Sequence, residues 1–177
     1  MDRAGARAAP AGRRVNLRIE AADPLGAEAL ALLAEAAAEA RQRYPEFFDP
    51  AAPPPTNAPL QRRAAFLLAW VDAVAVGCGA LRPLDATTAE LKRMFVRRGA
   101  RRRGVARALV TALLARARDL DYAAVRLETG NRQPEAIALY EGCGFARIAP
   151  FGVYVGDPTS VCFELRLARA QRSVAGR

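Results

Sequence analysis

The pattern of hydrophobic positions along the chain predicts a mixed α/β domain. Alternating or continuous apolar runs predict β-strands, and these lie at 15–19, 64–71, 73–81, 89–96, 123–128, 145–148 and 161–167. Apolar residues spaced three and four apart, or runs rich in Ala, Leu and Glu, predict helices over 25–42, 104–120 and 134–141. The order is βα, a β-meander, βα, βα and ββ, which favours one sheet flanked by helices.

Turn-forming residues separate these elements. Asp23 and Pro24 have the types expected at the N-cap and first position of the first helix. Asp72 separates two strands and predicts a hairpin. The proline-rich stretch 45–59 predicts a loop that shapes a substrate mouth. Small residues in the predicted strand 73–81 indicate a bulge or a close backbone approach, and these are Gly77, Cys78, Gly79 and Ala80.

The composition limits the functions open to the chain. Its 177 residues suit one domain, 52% are hydrophobic and no apolar run is long enough for a membrane span. The absence of histidine excludes His-based triads and His-ligated metals. The three cysteines have no CxxC spacing, so we expect no metal site and a reducing, cytoplasmic location. Cys143 and Cys162 are expected to be buried apolar residues rather than nucleophiles.

The net charge of +9 is concentrated in a few segments. Residues 1–14 and 168–177 predict flexible basic tails, and 15–167 predicts the folded domain. Residues 92–107 carry eight positive charges and no acid, whereas the rest of the domain is net negative. Such a local concentration of positive charge suits a polyanionic ligand.

A strand-to-helix turn lies inside this basic segment. It reads Arg101-Arg102-Arg103-Gly104-Val105-Ala106, where glycine allows close backbone approach to a ligand. The first amides of a helix lack internal partners and lie at the positive end of its dipole, so they bind phosphate. A pyrophosphate, with Arg97, Arg98, Arg101, Arg102 or Arg107 around it, fits this charge. The alternative for this turn alone is a solvated arginine-rich loop.

A second segment follows about 30 residues downstream and includes Ala136-Ile137-Ala138-Leu139-Tyr140 and Gly144-Phe145. Together the two segments resemble the GNAT superfamily of acyl-CoA-dependent N-acyltransferases. The first is similar to its [Q/R]-x-x-G-x-[G/A] pyrophosphate loop, and the second to its A-[I/V]-x-L-Y-x-x-x-G-F segment. Residues 90–94, 132–136 and 150–164 further resemble a subgroup of small bacterial GNAT proteins whose acceptors are mostly unassigned.

The resemblance implies a fold and a cofactor. It implies a mostly antiparallel sheet in which strand 89–96 splays from strand 124–128, with acetyl-CoA in the V-shaped opening. The backbone of 94–96 would pair with the cofactor and the amides of 102–107 would hold its pyrophosphate. The implied cofactor-binding residues are Met94, Phe95, Val96, Arg101, Arg102, Arg103, Gly104, Val105, Ala106, Arg107, Asn131, Gln133 and Tyr140. The family's usual Asn position holds Gln133 here, and either Asn131 or Gln133 is a candidate for the pantetheine arm.

The resemblance also implies roles in catalysis. Tyr140 would protonate the leaving thiolate; the alternative is a core tyrosine. Glu90 is our candidate general base, weighed against a cross-strand salt bridge with Arg93 or Lys92, and Glu128 is the fallback. We expect no metal. The acceptor-site candidates, weighed against ordinary loop packing, are Arg43, Tyr44, Phe47, Phe48, Tyr154 and Asp157.

We therefore expect an N-acetyltransferase that moves an acetyl group from acetyl-CoA to a primary amine by direct attack, with a backbone-stabilised oxyanion. The acceptor stays open among small amines, amino acids, antibiotics and a protein N-terminus, and a homodimer is possible. One alternative is a nucleic-acid-binding protein that uses the tails and 92–107, although few aromatics accompany these arginines. The other is an acyl-CoA-binding module without catalysis.

Overall fold

The computed structural model describes residues 16–49 and 51–168, which form one seven-stranded sheet with three α-helices. The strands are β1 (Leu17–Ala21), β2 (Ala65–Val71), β3 (Val74–Pro83), β4 (Thr88–Val96), β5 (Ala124–Gly130), β6 (Ala146–Ile148) and β7 (Ser160–Arg166). The helices are α1 (Ala27–Arg43), α2 (Val105–Asp119) and α3 (Pro134–Glu141). The predicted number, type and order of elements are confirmed. Val15 and most of the two predicted tails lie outside the described residues.

The strand order across the sheet is β1-β2-β3-β4-β5-β7-β6. Every neighbouring pair is antiparallel except β4 and β5, which are parallel. The helix α2 supplies the crossover connection that parallel neighbours require. The predicted mixed, mostly antiparallel sheet is therefore confirmed.

The sheet opens at the pair β4–β5. These strands are in register over only four residues, Thr88–Leu91 against Ala124–Leu127, and they separate beyond Leu91. On its other side β4 carries a bulge, because Cys78 pairs with Phe95 while Ala80 pairs with Lys92. The predicted splay of the two central strands is thus present.

The glycines of β3 make room for this bulge. A Cβ atom on Gly79 would lie 2.6 Å from the sulfur of Met94, and one on Gly77 would lie 2.8 Å from the carbonyl oxygen of Phe95. Both distances are too short for ordinary packing. The close backbone approach predicted from the small residues of this strand is therefore present, and the bulge lies on the partner strand.

Helices α1 and α2 cover opposite faces of the sheet. Successive residues of a strand point to opposite faces, and the alternate residues of β2 divide between two hydrophobic clusters. Leu67 joins a larger cluster with Leu109 and Leu113 of α2. Leu68 joins a smaller one with Leu32 of α1. The sheet is thus a middle layer with a packed core on each side.

The start of α1 differs from the prediction. Gly26, not Asp23, is the N-cap, and the helix begins at Ala27. The Asp23 carboxylate instead accepts a hydrogen bond from the amide of Leu25 at 2.9 Å, and its carbonyl accepts one from Gly26 at 3.0 Å. Aspartate favours such local turns as readily as helix caps, so the sequence places a separate turn ahead of the helix.

The end of α1 is fixed to the loop between β5 and α3. The Tyr44 ring covers Gly130, where a Cβ atom would lie 2.1 Å from the tyrosine oxygen. The Tyr44 hydroxyl accepts a hydrogen bond from the Arg132 amide at 2.8 Å. The Arg132 guanidinium forms an ion pair with Glu46 at 2.6 Å. These contacts hold α1 across the open end of the sheet.

We expect Gly130→Ala to destabilise the fold. The added methyl group displaces a buried aromatic ring and its hydrogen bond, and such overpacking costs about 1–3 kcal/mol. For a chain of this size that lowers the melting temperature by roughly 2–10 °C. Gly99→Ala is the matched control, because a Cβ there meets nothing within 4 Å. Thermal denaturation followed by circular dichroism measures both; equal melting temperatures would contradict the proposed packing.

Candidate active site

The separation of β4 and β5 opens a cavity of about 590 Å³. Strands β4 and β5 contribute the residues that flank the opening, Leu91, Lys92, Arg93, Met94, Glu128, Thr129 and Gly130. Helix α1 borders it through small and apolar residues, and α3 borders it through Ala136 and Tyr140. The gap between the central strands is therefore open rather than filled by side chains.

The basic turn leads from the end of β4 into α2. Gly104 is the N-cap of α2 in the left-handed conformation, with φ of 81°, and no side chain caps the helix. Arg102 also has a positive φ of 60°. Within the described residues, the amides from Arg102 to Arg107 donate to no protein acceptor. This turn presents a series of free amides at the positive end of a helix dipole, which suits a phosphate group.

Several arginines predicted around the pyrophosphate have protein partners instead. Arg97 forms an ion pair with Glu35 of α1 at 2.7 Å, and Arg101 forms one with Glu39 at 2.7 Å. The hydrogen bond from Arg101 lowers the pKa of Glu39, more than burial raises it. Arg98 lies 3.5 Å from the same carboxylate.

Arg107 donates a hydrogen bond to the carbonyl of Gly142 at 2.8 Å. Arg102 and Arg103 are exposed and have no ion pair among the described residues. The arginine cluster is thus divided. The side chains of 97, 98, 101 and 107 brace the turn, and those of 102 and 103 face solvent beside the free amides.

Tyr140 lies at the α3 side of the cavity. Its ring is buried against Phe145 and Phe163, with centroid distances of 6.0 and 6.2 Å. No described residue forms a hydrogen bond with its hydroxyl. Burial raises its pKa well above that of an exposed tyrosine. The side chain is therefore both a core residue and a protonated donor that borders the cavity.

Glu128 lies at the end of β5 and borders the same cavity. Its carboxylate accepts a hydrogen bond from the Ser160 hydroxyl at 3.0 Å. Burial raises the pKa of Glu128, and the Ser160 hydrogen bond and the charge of Lys92 offset only part of that rise. A carboxylate with a raised pKa in a cleft has the properties of a general base.

Glu90 has a different environment. It is 1% exposed and does not border the cavity. Its carboxylate forms an ion pair with Arg82 at 2.6 Å, lies 3.3 Å from the Lys92 ammonium and accepts a hydrogen bond from Tyr154 at 2.6 Å. Burial opposes the charge of Glu90, but the contacts with Tyr154, Arg82 and Lys92 together lower its pKa. The salt bridge weighed against catalysis is therefore present, with Arg82 and Lys92 rather than Arg93.

Most acceptor-site candidates do come together. Tyr44, Phe47, Phe48, Tyr154 and Asp157 all border the cavity. Arg43 does not, because its guanidinium binds Glu39 at 3.0 Å and the carbonyl of Arg132 at 3.1 Å.

The structure also distinguishes the two residues whose side-chain amides are candidates for binding the pantetheine arm. Gln133 borders the cavity, whereas Asn131 is exposed outside it and donates its backbone amide to Thr159. Gln133 therefore has the access that the pantetheine role requires.

Sequence reasoning missed three contributors. Cys78 borders the cavity, and burial raises its thiol pKa to about 12. Ser160 holds the Glu128 carboxylate, and Arg82 holds that of Glu90. These contacts follow the strand register, Arg82 opposite Glu90 and Ser160 opposite Gly130, which sequence spacing alone does not reveal. Cys162 is buried as expected, while Cys143 is partly exposed.

Two other properties bear on the site. Within 16–49 and 51–168, no group of three or more His, Cys, Asp or Glu side chains is arranged to hold a metal ion. None of the helices in those same ranges is both long and apolar enough to cross a membrane.

Relatives of this chain resemble it in sequence. An IAA acetyltransferase of Azospirillum brasilense is 41% identical over 100 residues, which cover 56% of this chain and 65% of that protein. The match therefore spans just under two thirds of that relative's length. The uncharacterized N-acetyltransferase YsnE of Bacillus subtilis is 36% identical over 104 residues, covering 58% of this chain and 69% of that protein.

Solved structures resemble it in fold. A Klebsiella pneumoniae protein assigned to the acyl-CoA N-acyltransferases has a TM-score of 0.71 and 32% identity, covering 86% of this chain and 99% of that one. A GNAT acetyltransferase of Elizabethkingia anophelis, solved with acetyl-CoA bound, has a TM-score of 0.62 and 19% identity, covering 86% and 99%. It therefore shares the fold.

The resemblance noted from the two motifs is confirmed. The family model for the GNAT acetyltransferase family matches residues 29–145, a range that contains the Gly104 turn, the β4–β5 opening and Tyr140. This chain belongs to the GNAT acetyltransferase family.

Proposed function

We propose that this protein is an acetyl-CoA-dependent N-acetyltransferase that acts on a primary amine by direct attack. One observation carries the proposal: Tyr140 and Glu128 border the opening between β4 and β5, and β4 runs from this opening into the turn that presents the uncapped amides of α2. Two groups suited to proton transfer therefore lie on one cavity, and the strand that borders this cavity leads directly to a turn suited to phosphate.

The residues of the opening fit acetyl-CoA. Beyond Leu91 the edge of β4 that faces β5 has no strand partner, so the backbone of Met94 and the amide of Val96 are free to pair with the pantetheine arm as an added strand does. The Val96 carbonyl accepts a hydrogen bond from Arg101 at 2.8 Å. The amides from Arg102 to Arg107 would bind the diphosphate, with the Arg102 and Arg103 guanidinium groups beside it. The acetyl-CoA in the E. anophelis structure supports the choice of ligand. That ligand supplies an activated acetyl thioester.

We assign the general base to Glu128 rather than Glu90. An amine attacks a thioester only when it is neutral, so a base must take its proton directly or through water. The Glu90 carboxylate is held by two cations and a tyrosine and has a lowered pKa. Glu128 borders the cavity and has a raised pKa, so it accepts a proton more readily.

Tyr140 would donate to the sulfur as the thioester breaks. Its hydroxyl has no protein partner among the described residues, and its raised pKa keeps it protonated. The same poorly solvated surroundings favour a neutral thiol over a thiolate, so the leaving sulfur has a raised affinity for the proton. Backbone amides of the β4 bulge would stabilise the developing oxyanion.

The nucleic-acid alternative finds little support in the described surface. Arg97, Arg98 and Arg101 face the carboxylates of Glu35 and Glu39 rather than forming an open basic patch. In the part of the chain that the structure describes, no aromatic ring lies over the exposed guanidinium groups of Arg102 and Arg103.

Two assays test the proposed function together. Acetyl-CoA should raise the melting temperature, and free thiol should appear only when a suitable amine from a panel is added. Stabilisation by a nucleic acid that falls steeply with salt, without stabilisation by acetyl-CoA, would favour the alternative. Stabilisation by acetyl-CoA without thiol release across the panel would indicate a non-catalytic binding module.

The Tyr140→Phe variant should separate catalysis from folding. Loss of the donor should lower kcat by about 10²-fold, while the Kd for acetyl-CoA stays within about twofold. Because the hydroxyl has no protein partner, its removal should leave the melting temperature unchanged or slightly higher. Steady-state kinetics, calorimetric titration and thermal denaturation measure the three quantities. A lower melting temperature with unchanged kcat would indicate a purely structural tyrosine.

The Glu128→Gln variant should remove the base. In the wild-type protein kcat should fall as the pH drops through the Glu128 pKa, which lies above that of an exposed glutamate because the carboxylate is partly buried. The variant should lose this acidic limb and about 10²-fold in kcat. The pH profile of kcat at saturating amine measures both.

The matched control is Glu90→Gln. It breaks a buried ion pair and should mainly lower the melting temperature. Because folding lowers the pKa of Glu90, its ionised carboxylate stabilises the fold at pH values above the pKa that Glu90 has in the unfolded chain. This stabilisation is lost as the pH falls through the lower pKa that Glu90 has in the folded protein. A Glu90→Gln protein that folds normally but loses the acidic limb would instead make Glu90 the base.

A further inference from the structure

Arg93 borders the proposed active site and is a cation without a partner among the described residues. It lies on the β4 bulge with φ of 58°, and it is exposed. Within the described residues, its guanidinium forms no ion pair or hydrogen bond. The side chain borders the main cavity and also a smaller recess of about 160 Å³ that adjoins it. Its charge acts on the thiol of Cys78, which borders the main cavity.

The two spaces differ in the charges that border them. Arg82, Lys92 and Arg93 border the recess, and no acidic residue does. Glu90 lies behind them and is shared by Arg82 and Lys92, so Arg93 is left uncompensated. Glu128 and Asp157 supply the acidic groups of the main cavity. A ligand in the main cavity therefore has both carboxylates and the guanidinium of Arg93 within reach.

The acetyl donor does not account for this charge. Its diphosphate has a separate site at the amides that begin α2, beyond the end of β4. Arg93 instead lies just beyond the last β4–β5 pair, beside Met94, and borders the same cavity as Glu128. That is the position of the reacting amine in the proposed mechanism. The charge of Arg93 is therefore available to the acceptor.

We propose that the acceptor is an amino acid or a similar small amine that carries a carboxylate, and that Arg93 binds this carboxylate. The inference rests on the proposed function, in which Glu128 receives the proton of the amine. A guanidinium matches a carboxylate through two parallel hydrogen bonds. The walls formed by Tyr44, Phe47, Phe48 and Tyr154 would contact the apolar body of the acceptor between its two charged ends.

Pairs of amines that differ only in the carboxylate test the proposal. Suitable pairs are phenylalanine with phenethylamine, lysine with cadaverine, and 4-aminobutyrate with propylamine; phosphoethanolamine tests for a phosphate preference. Thiol release gives kcat/KM for each. In at least one pair, the wild-type kcat/KM should be tenfold or more higher for the carboxylate-bearing member. Which pair shows this preference then tells whether the acceptor is an α-amino or an ω-amino acid.

Substitutions of Arg93 test whether this residue causes the preference for carboxylate-bearing amines. Arg93→Ala should lower kcat/KM for the carboxylate-bearing amine by tenfold or more, mainly by raising KM. The kcat/KM for the decarboxylated amine and the KM for acetyl-CoA should both stay within twofold of the wild-type values. Arg93→Lys should restore part of the loss. Arg116→Ala is the matched control, because it also removes one exposed positive charge but lies on α2, away from both spaces. It should change none of these values.

The outcomes distinguish this inference from the proposed function. If decarboxylated amines or phosphoethanolamine are the better acceptors throughout, or Arg93→Ala affects both members of a pair equally, the carboxylate assignment is overturned and the transferase stands. If no amine releases thiol, the transferase proposal fails and the carboxylate assignment fails with it. Melting temperatures of the Arg93 variants should equal that of the wild type, since within 16–49 and 51–168 its exposed guanidinium forms no ion pair or hydrogen bond.

Discussion

The parting of β4 from β5 is the constraint on which the rest of the site depends. The two strands share only four paired residues before they separate at Leu91. The bulge opposite Gly79 bends β4 at the same point, and the glycines of β3 leave the space that the bulge needs. A bulge next to an active site commonly redirects a strand in this way. The consequences are an unpaired strand edge, a cavity beside it, and a turn into α2 whose amides are free.

Helix α1 holds this open arrangement from one side. Glu35 and Glu39 bind three arginines of the segment that follows β4, and Tyr44 fixes the helix end over Gly130. The basic segment therefore has two functions. Its internal ion pairs connect the phosphate turn to α1, while Arg102 and Arg103 leave positive charge at the free amides. A helix that borders the acceptor space is thus coupled mechanically to the turn that would bind the diphosphate.

Much of the fold was predictable, whereas the roles of individual side chains were not. Hydrophobic periodicity located each strand and helix to within a few residues, and the two motifs identified the family and the splay. Sequence separation does not encode which carboxylate faces the cavity. Glu90 and Glu128 both lie on central strands, but the register places Arg82 opposite Glu90 and leaves Glu128 at the opening. The pairing of Arg101 with Glu39, 62 residues apart, likewise depends on tertiary packing.

The most direct test of this account is hydrogen exchange of individual amides with and without coenzyme A. Coenzyme A should slow the exchange of the amides from Arg102 to Arg107 more than that of any other loop. It should also slow exchange along the free edge of β4 near Met94 and Val96, while β6 at the sheet edge stays unchanged. Protection absent from the turn before α2, or spread evenly over the basic surface, would contradict the claim that these amides bind the diphosphate.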